Sequence, residues 1–399
     1  MSTAVSTDHL SPVIDHDPTA WRSFRRRAGI AYLVSRMCVI AGAAIVAAQE
    51  VAATNRAGGP RPKNAVGIIL QVLTSWDGAW YYRIIRDGYP TVIPPNITYD
   101  MPEARAAFFP VYPLLVRAAD VVLPGGDVAA GVFVNFVLGG VAVLLVGLIA
   151  RQLFGDRIGY RSMLLMAFFP GSVALSLTYS EATLIVLAAA CLLMLLRKRW
   201  LLAGILAAIG SGTRPNGLAL VAACAVAAFI AIKHDRDWRS LIAPILAPIG
   251  FVSFQVYLLN RTGEWAWFRV QTEAWNEGTS FGFTAIKNTV EAFIHPLASP
   301  TDILTAVSML VMVALLVVMY KRRLPWPMVA YVLVVYALMI LPSTVTARPR
   351  FLYTAFPAFI SVAAWWPEEH EEAWGLVIAL CTAGLVTLTG LYGVLGAIP

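Results

Sequence analysis

The feature that most constrains this chain is a run of apolar stretches separated by short clusters of arginine and lysine. Lipid gives the backbone no hydrogen-bond partner, so a crossing segment must be helical, and it needs about 20 apolar residues. On that measure crossings are expected near 28–49, 129–150, 162–178, 182–196, 200–213, 215–232, 240–259, 303–320, 325–341, 350–366 and 373–396, about eleven in all. Charged residues are only 13% of the chain and hydrophobic ones 59%, against about 25% charged in soluble domains. The expected fold class is an all-α polytopic membrane protein with a large first extracytoplasmic loop. A net charge of +7 would suggest nucleic acid as partner for a soluble chain. Here the basic residues lie between apolar runs, where membrane topology explains them, and no nucleic-acid partner is expected.

Residues 1–27 carry Asp8, Asp15 and Asp17, then Arg22, Arg25, Arg26 and Arg27. They show no small-residue cleavage site of a signal peptide and read as a disordered cytoplasmic start, leaving 28–399 as the transmembrane domain. With that arginine cluster inside, the clusters around Arg151/Arg157/Arg161, Arg197–Arg199, Lys233/Arg236/Arg239 and Lys321–Arg323 also fall inside. This holds only if 106–123 does not cross. Two prolines and Arg117 favour an interfacial or re-entrant helix there. The outer face then holds a first loop, 50–128, with interfacial helices, and a second loop, 260–302. Cys38, Cys191, Cys224 and Cys381 sit in apolar runs and read as small buried hydrophobes. Neither a Walker-type loop nor Cys/His metal spacing is present, so no metal and no cofactor are expected. Only Arg36 and Gln255 lie well inside expected spans, and either can face a bundle interior.

The outer segments gather the unusual residues. Asp77 stands among Trp76, Trp80, Tyr81 and Tyr82; a tight turn is Thr178-Tyr179-Ser180-Glu181; another is Thr213-Arg214-Pro215-Asn216-Gly217. The second loop carries Glu264-Trp265-Ala266-Trp267, and the last outer turn carries Arg348-Pro349-Arg350-Phe351. Aromatic rings anchor at interfaces for packing reasons alone, yet they also stack on sugars, and a carboxylate among them can act as a general base. Each charge also has a plain alternative. Arg214 can snorkel, Arg348 and Arg350 can bind lipid headgroups, and Glu181 can serve the start of its helix. Two acids and three arginines confined to one face point to a common polar site. Arginines beside a bilayer suit phosphate oxygens. A lipid-linked sugar phosphate meets both requirements, with an acid as base on the acceptor hydroxyl and arginines on the departing phosphate.

The segments SWDGAWYYRIIRDGYP, AFFPVYPLL, TYSEA, TRPNG and RPRFLYTAFP resemble, in order, the PIG-V type of GT-C integral-membrane mannosyltransferases, from about the first expected span to the tenth. The resemblance implies a GT-C-like helical membrane fold with its active site on the extracytoplasmic side. It also implies a polyprenyl-phosphate-linked hexose donor, usually mannose, and metal-independent inverting transfer. Carried over residue by residue, Asp77 matches the Trp-Asp acid proposed as base and Glu181 the Tyr-Ser-Glu acid, both catalytic. Arg214 and Asn216 match the Arg-x-Asn-Gly turn. With them, Arg350 and Arg348 are candidates for the donor phosphate, Arg348 with the weaker effect, and Trp76, Trp80, Tyr81, Tyr179, Asn216, Trp265 and Trp267 for substrate binding. Where eukaryotic members usually carry His or a similar residue after that Asp, this chain has Trp80-Tyr81-Tyr82, which leaves the acceptor open. The Ala-, Val- and Arg-rich composition fits a bacterial, actinobacterial-type member with a cell-envelope lipid, glycan or protein as acceptor. A transporter would show internal repeats and midplane polar groups, which are not evident, while a non-catalytic scaffold of an envelope complex would keep the same fold.

Overall fold

A computed structural model describes residues 18–56, 65–296, 298–344 and 348–395. Among the described residues the regular secondary structure is helical, apart from one isolated bridge between Thr279 and Pro342. The helices in order are α1 Pro18–Arg56, α2 Ala65–Thr74, α3 Asp77–Asp87, α4 Val111–Asp120, α5 Gly126–Phe154, α6 Asp156–Phe168, α7 Glu181–Leu196, α8 Trp200–Ser211 and α9 Ala219–Asp235. They continue as α10 Ile242–Leu246, α11 Ile249–Thr262, α12 Ala266–Glu273, α13 Phe283–Ile294, α14 Pro300–Lys321, α15 Trp326–Ile340, α16 Pro349–Thr354, α17 Pro357–Trp365 and α18 Glu371–Gly393.

Among the described residues, six segments are long and apolar enough to cross a membrane: Trp21–Ala53, Gly126–Phe154, Pro215–Asp235, Trp238–Thr262, Pro300–Lys321 and Glu371–Gly393. This is a multi-pass membrane protein. The other five expected crossings correspond to shorter or broken helices, and proline explains two of the breaks. Pro170 cannot donate a backbone hydrogen bond and drives Phe169 into extended geometry (ψ 139°), so α6 stops at Phe168 and a tight turn, Pro170–Leu175, follows. The expected span 350–366 is likewise split into α16 and α17, with Pro357 opening the second. The start differs as well. α1 begins at Pro18, so 18–27 is helix and not disordered chain, while 1–17 lies outside the described residues.

The main core joins α1, α5, α6, α7, α8, α9, α15 and α17 through Ala, Leu, Val and Met side chains, among them Val146, Met163, Ala188, Ala223 and Val335. The first expected outer loop is ordered over its described residues from 65 onward. It folds into α2, α3 and α4, and α4 at 10 residues is too short to cross. Ile84, Tyr89, Ile97 and Phe109 bury themselves against Phe254 and Leu258 of α11 and Val270 of α12, so the two expected outer loops share a satellite core. A second one, of Tyr81, Tyr82, Ile85, Tyr112 and Val116, seats α3 and α4 on α5. Both hold α3, with Asp77 at its first position, against the bundle.

Candidate active site

Four side chains from four distant segments form one chain of alternating charge. Asp77 Oδ2 lies 2.5 Å from Arg350 Nη1, which lies 3.7 Å from Glu181 Oε1; that oxygen in turn lies 2.5 Å from Arg214 Nη1. Asp77 and Glu181 each open a helix, where the N-terminal dipole favours a carboxylate. Arg350 is in the first turn of α16 after Pro349, and Arg214 is held in extended backbone by the following Pro215. Just before Asp77, Trp76 has φ 56°, a conformation costly for a bulky residue and typical of segments over-determined by their surroundings.

The cluster is graded in exposure. The side chain of Asp77 is 26% exposed, Arg214 12%, Arg350 5% and Glu181 1%. Oδ2 of Asp77 is engaged by Arg350, and among the described residues Oδ1 has no hydrogen bond. Asp77 is thus the acid that a substrate can reach. Glu181 sits behind the arginines. Its helix-capping alternative does not match this geometry, since its carboxylate faces two guanidinium groups, and Ser180 makes no capping bond either. Arg214 does not snorkel to water; it lies over the Phe351 ring at 5.3 Å. Arg350 lies over Phe351 at 4.7 Å and over Tyr179 at 5.0 Å. Aromatic faces and acids together repay the desolvation of these cations.

A tyrosine relay fixes the backbone of the acid. The Asp77 N–H donates to Tyr179 Oη (3.3 Å), and Tyr392 of α18 donates its proton to Ser75 O (2.7 Å). The bond between the two phenols, at 3.1 Å, must therefore run from Tyr179 to Tyr392. Burial, with Asp77 second, pushes the Tyr179 phenol well above its usual range, so it keeps the proton it donates. Tyr81 donates to Ser180 Oγ at 2.7 Å, tying α3 to the residue before Glu181. Gly78 permits this approach, because a Cβ there would lie 2.5 Å from Thr178 Oγ1.

The remaining candidates divide. Trp76 Nε1, Asn216 Nδ2, Arg214 Nε and Arg350 Nε are buried donors with no acceptor among the described residues. Buried donors normally have partners, so these suit an oxygen-rich ligand. Arg348 makes no ion pair among the described residues. Burial, and then the neighbouring Arg350, push its guanidinium down to about 10, so at neutral pH it is still a cation, uncompensated by a bonded acid. Trp80 stacks on Phe108 and meets Trp275 edge-on, each at 6.0 Å, as part of an aromatic wall. Trp265 and Trp267 are not brought to the cluster. Trp265 is 53% exposed, and Trp267 packs on Phe109, Phe251 and Phe268 and donates to Ala107 O at 3.2 Å. Trp265 stands just before α12 and Trp267 in its first turn, and both pack against Phe268. Tyr392 and Phe351 were not singled out by sequence. Phe351 could have been found as the aromatic beside two arginines, whereas Tyr392 had no local signal beyond being a phenol in an apolar run.

Fold and site together define a multi-pass membrane protein with a GT-C-like fold. It is similar to the structure of ArnT from Cupriavidus metallidurans bound to undecaprenyl phosphate, with a TM-score of 0.51 and 15% identity over 76% of this chain and 57% of that one. The apo state of the same protein gives 0.49, 16% identity, and coverage of 80% and 64%; the oligosaccharyltransferase of Archaeoglobus fulgidus in complex with Zn and sulfate gives 0.45, 15%, and coverage of 90% and 53%. The chain thus spans less than two thirds of the length of these structures. Residues 109–259 match the family model described as dolichyl-phosphate-mannose-protein mannosyltransferase. That stretch contains Glu181, Arg214 and Asn216 but neither Asp77 nor the arginines at 348 and 350, and it is a different family from the PIG-V type that the motifs resemble. No curated protein matches by sequence.

Proposed function

We propose that this chain is a polyprenyl-phosphate-sugar-dependent glycosyltransferase of the PIG-V-like kind, moving a hexose, mannose first among the candidates, to an acceptor hydroxyl with inversion on the extracytoplasmic face. The observation that carries this reading is the partly exposed Asp77 held by Arg350 beside buried donors that have no acceptor among the described residues. The ArnT structure, bound to undecaprenyl phosphate, and the matched mannosyltransferase model support a lipid-phosphate donor.

In this reading Asp77 Oδ1 takes the proton of the acceptor hydroxyl as its oxygen bonds to the sugar's anomeric carbon. The bond from that carbon to the phosphate oxygen breaks, and its electron pair leaves with the polyprenyl phosphate. Arg348, which makes no ion pair among the described residues, receives that negative charge first, with the Nε–H groups of Arg350 and Arg214, which have no acceptor among the described residues, beside it. Glu181 orients those two arginines and does not itself reach substrate. This ranking places Arg348 above the weaker role expected from sequence, because Arg214 and Arg350 are already paired with acids.

The test is incubation of the purified protein with radiolabelled polyprenyl-phosphate-mannose and a total lipid extract of its host. A labelled product is expected; none, with active donor and folded protein, overturns the reading. Sidedness is tested separately. A cysteine replacing Gly125, between α4 and α5, is expected to react with an impermeant thiol reagent in intact cells, and reaction only after permeabilisation would place the site on the other face.

A further inference from the structure

Arg36 lies in the middle of α1, inside the segment that crosses the membrane, and is 4% exposed. A charge in such a place is functional by default, yet no acid stands near enough to form an ion pair with it among the described residues. Its partners are instead the groups freed where α6 breaks. Nη1 donates to Ser172 O (2.8 Å) and Ser176 Oγ (2.7 Å), Nη2 to Ala167 O (3.1 Å) and Ser172 Oγ (3.0 Å), and Nε to Ser35 Oγ (3.2 Å). All five N–H donors of the guanidinium are used, and its face lies over the Tyr32 ring at 5.2 Å. A guanidinium is the one side chain that can satisfy several carbonyls of an unwound turn at once.

That turn, Pro170–Leu175, lies between the two halves of the acid–arginine cluster. On one side Gly171 lies against the backbone of α16, so closely that a Cβ would be 2.4 Å from Pro349 O, next to Arg350. On the other side the chain runs through Leu177 and Tyr179 to Glu181. There Asn135 of α5, fully buried, donates to Leu177 O and to Tyr179 O at 2.8 Å. From this placement we infer that Arg36 is a positioning residue: it locks the break between α6 and α7, and through that break sets Arg350 and Glu181 in register with Asp77. The inference rests on the proposed catalytic reading only for its effect on turnover, because the locking itself is a statement about structure.

The experiment uses the full-length protein in detergent or nanodiscs and compares wild type, Arg36→Lys and Arg36→Gln. Hydrogen exchange of peptides covering 169–181 and 348–354 is expected to quicken at least several-fold in Arg36→Gln, less in Arg36→Lys, with the far ends of α7 and α18 unchanged. The kcat of Arg36→Gln is expected to fall by roughly 10–10²-fold, since misplacement of about 1 Å carries a cost of that order, while KM for the donor moves far less. Unchanged exchange in both peptides overturns the inference whatever the activity. Faster exchange in a protein whose wild type shows no transfer would support the locking and sink the catalytic reading instead. If Arg36→Gln does not fold, the double variant Ser172→Ala/Ser176→Ala keeps the arginine and removes two of its acceptors. The same two peptides should then loosen to a smaller degree, and their failure to do so overturns the inference.

Discussion

Two arginine–acid clusters stand in different surroundings, and they use the same chemistry in opposite ways. In one, Arg157 and Arg161 meet Glu368 and Glu371 at the start of α18. The acids there are 76% and 54% exposed, Arg157 is 39% exposed, and only Arg161, at 3%, is buried, with its guanidinium over Trp374. In the other, both arginines and one acid are buried, Glu181 at 1%, Arg350 at 5% and Arg214 at 12%, with Asp77 at 26% on the open side, and the arginines carry donors with no acceptor among the described residues. Exposed pairs of the first kind are held loosely by solvent and screened by salt. Buried pairs of the second kind are costly to assemble and damaging to break, so their presence marks a place where charge is needed for more than holding helices together.

The sharpest way to break this contrast is Asp77→Asn. Turnover is expected to fall by roughly 10²–10⁴-fold with folding and donor binding retained, as for a general base; single-turnover transfer close to wild type would leave the buried cluster no more catalytic than the exposed one. Next comes Arg350. Replacement by Ala is expected to lower catalytic efficiency by about 10²–10³-fold, the scale of a lost donor to developing charge, with Lys intermediate because it keeps charge and loses the planar fork. Donor titration at matched expression checks the order, and the same order is expected at Arg214. For Arg348→Ala, the loss should appear in kcat as well as in donor KM, since the departing phosphate charge falls on it.

A third change, Glu181→Gln, sharpens the stability side of the comparison. It leaves two buried cations sharing one acid, and about 3–5 kcal/mol of stability should go with it, read by thermal or denaturant unfolding in detergent. An unfolding curve superimposable on wild type would show that solvent already screens the cluster. At the small end, Glu368→Ala should change neither transfer nor unfolding beyond error, in keeping with a surface ion pair. A large loss there would erase the distinction between the two clusters.

Much of the site was legible because its residues carry local signals. An acid among aromatics, a Ser-Glu turn and isolated arginines at membrane edges each stand out in an apolar chain, and Asp77, Glu181, Arg214 and Arg350 do meet. Trp265 and Trp267 stood out equally and serve elsewhere, because a motif tells what a side chain can do and not where its helix turns it. Arg36 was visible as a buried charge, but its partners lie 131–140 residues away across a proline break.

What the sequence determined by itself is the class. Lipid imposes a rule that each segment must satisfy alone, apolar for the length of the crossing and hydrogen-bonded within itself, so a polytopic helical protein can be read one stretch at a time. Tertiary structure decided which helices are long and which are broken, and it decided every pairing in the cluster. The ion pair of Asp77 with Arg350 spans 273 positions, and nothing within either segment specifies the other. Only the packing of α16 and the proline turn against α3 and α7 brings them within reach, because burial of a charge is tolerable solely where other elements deliver its partner.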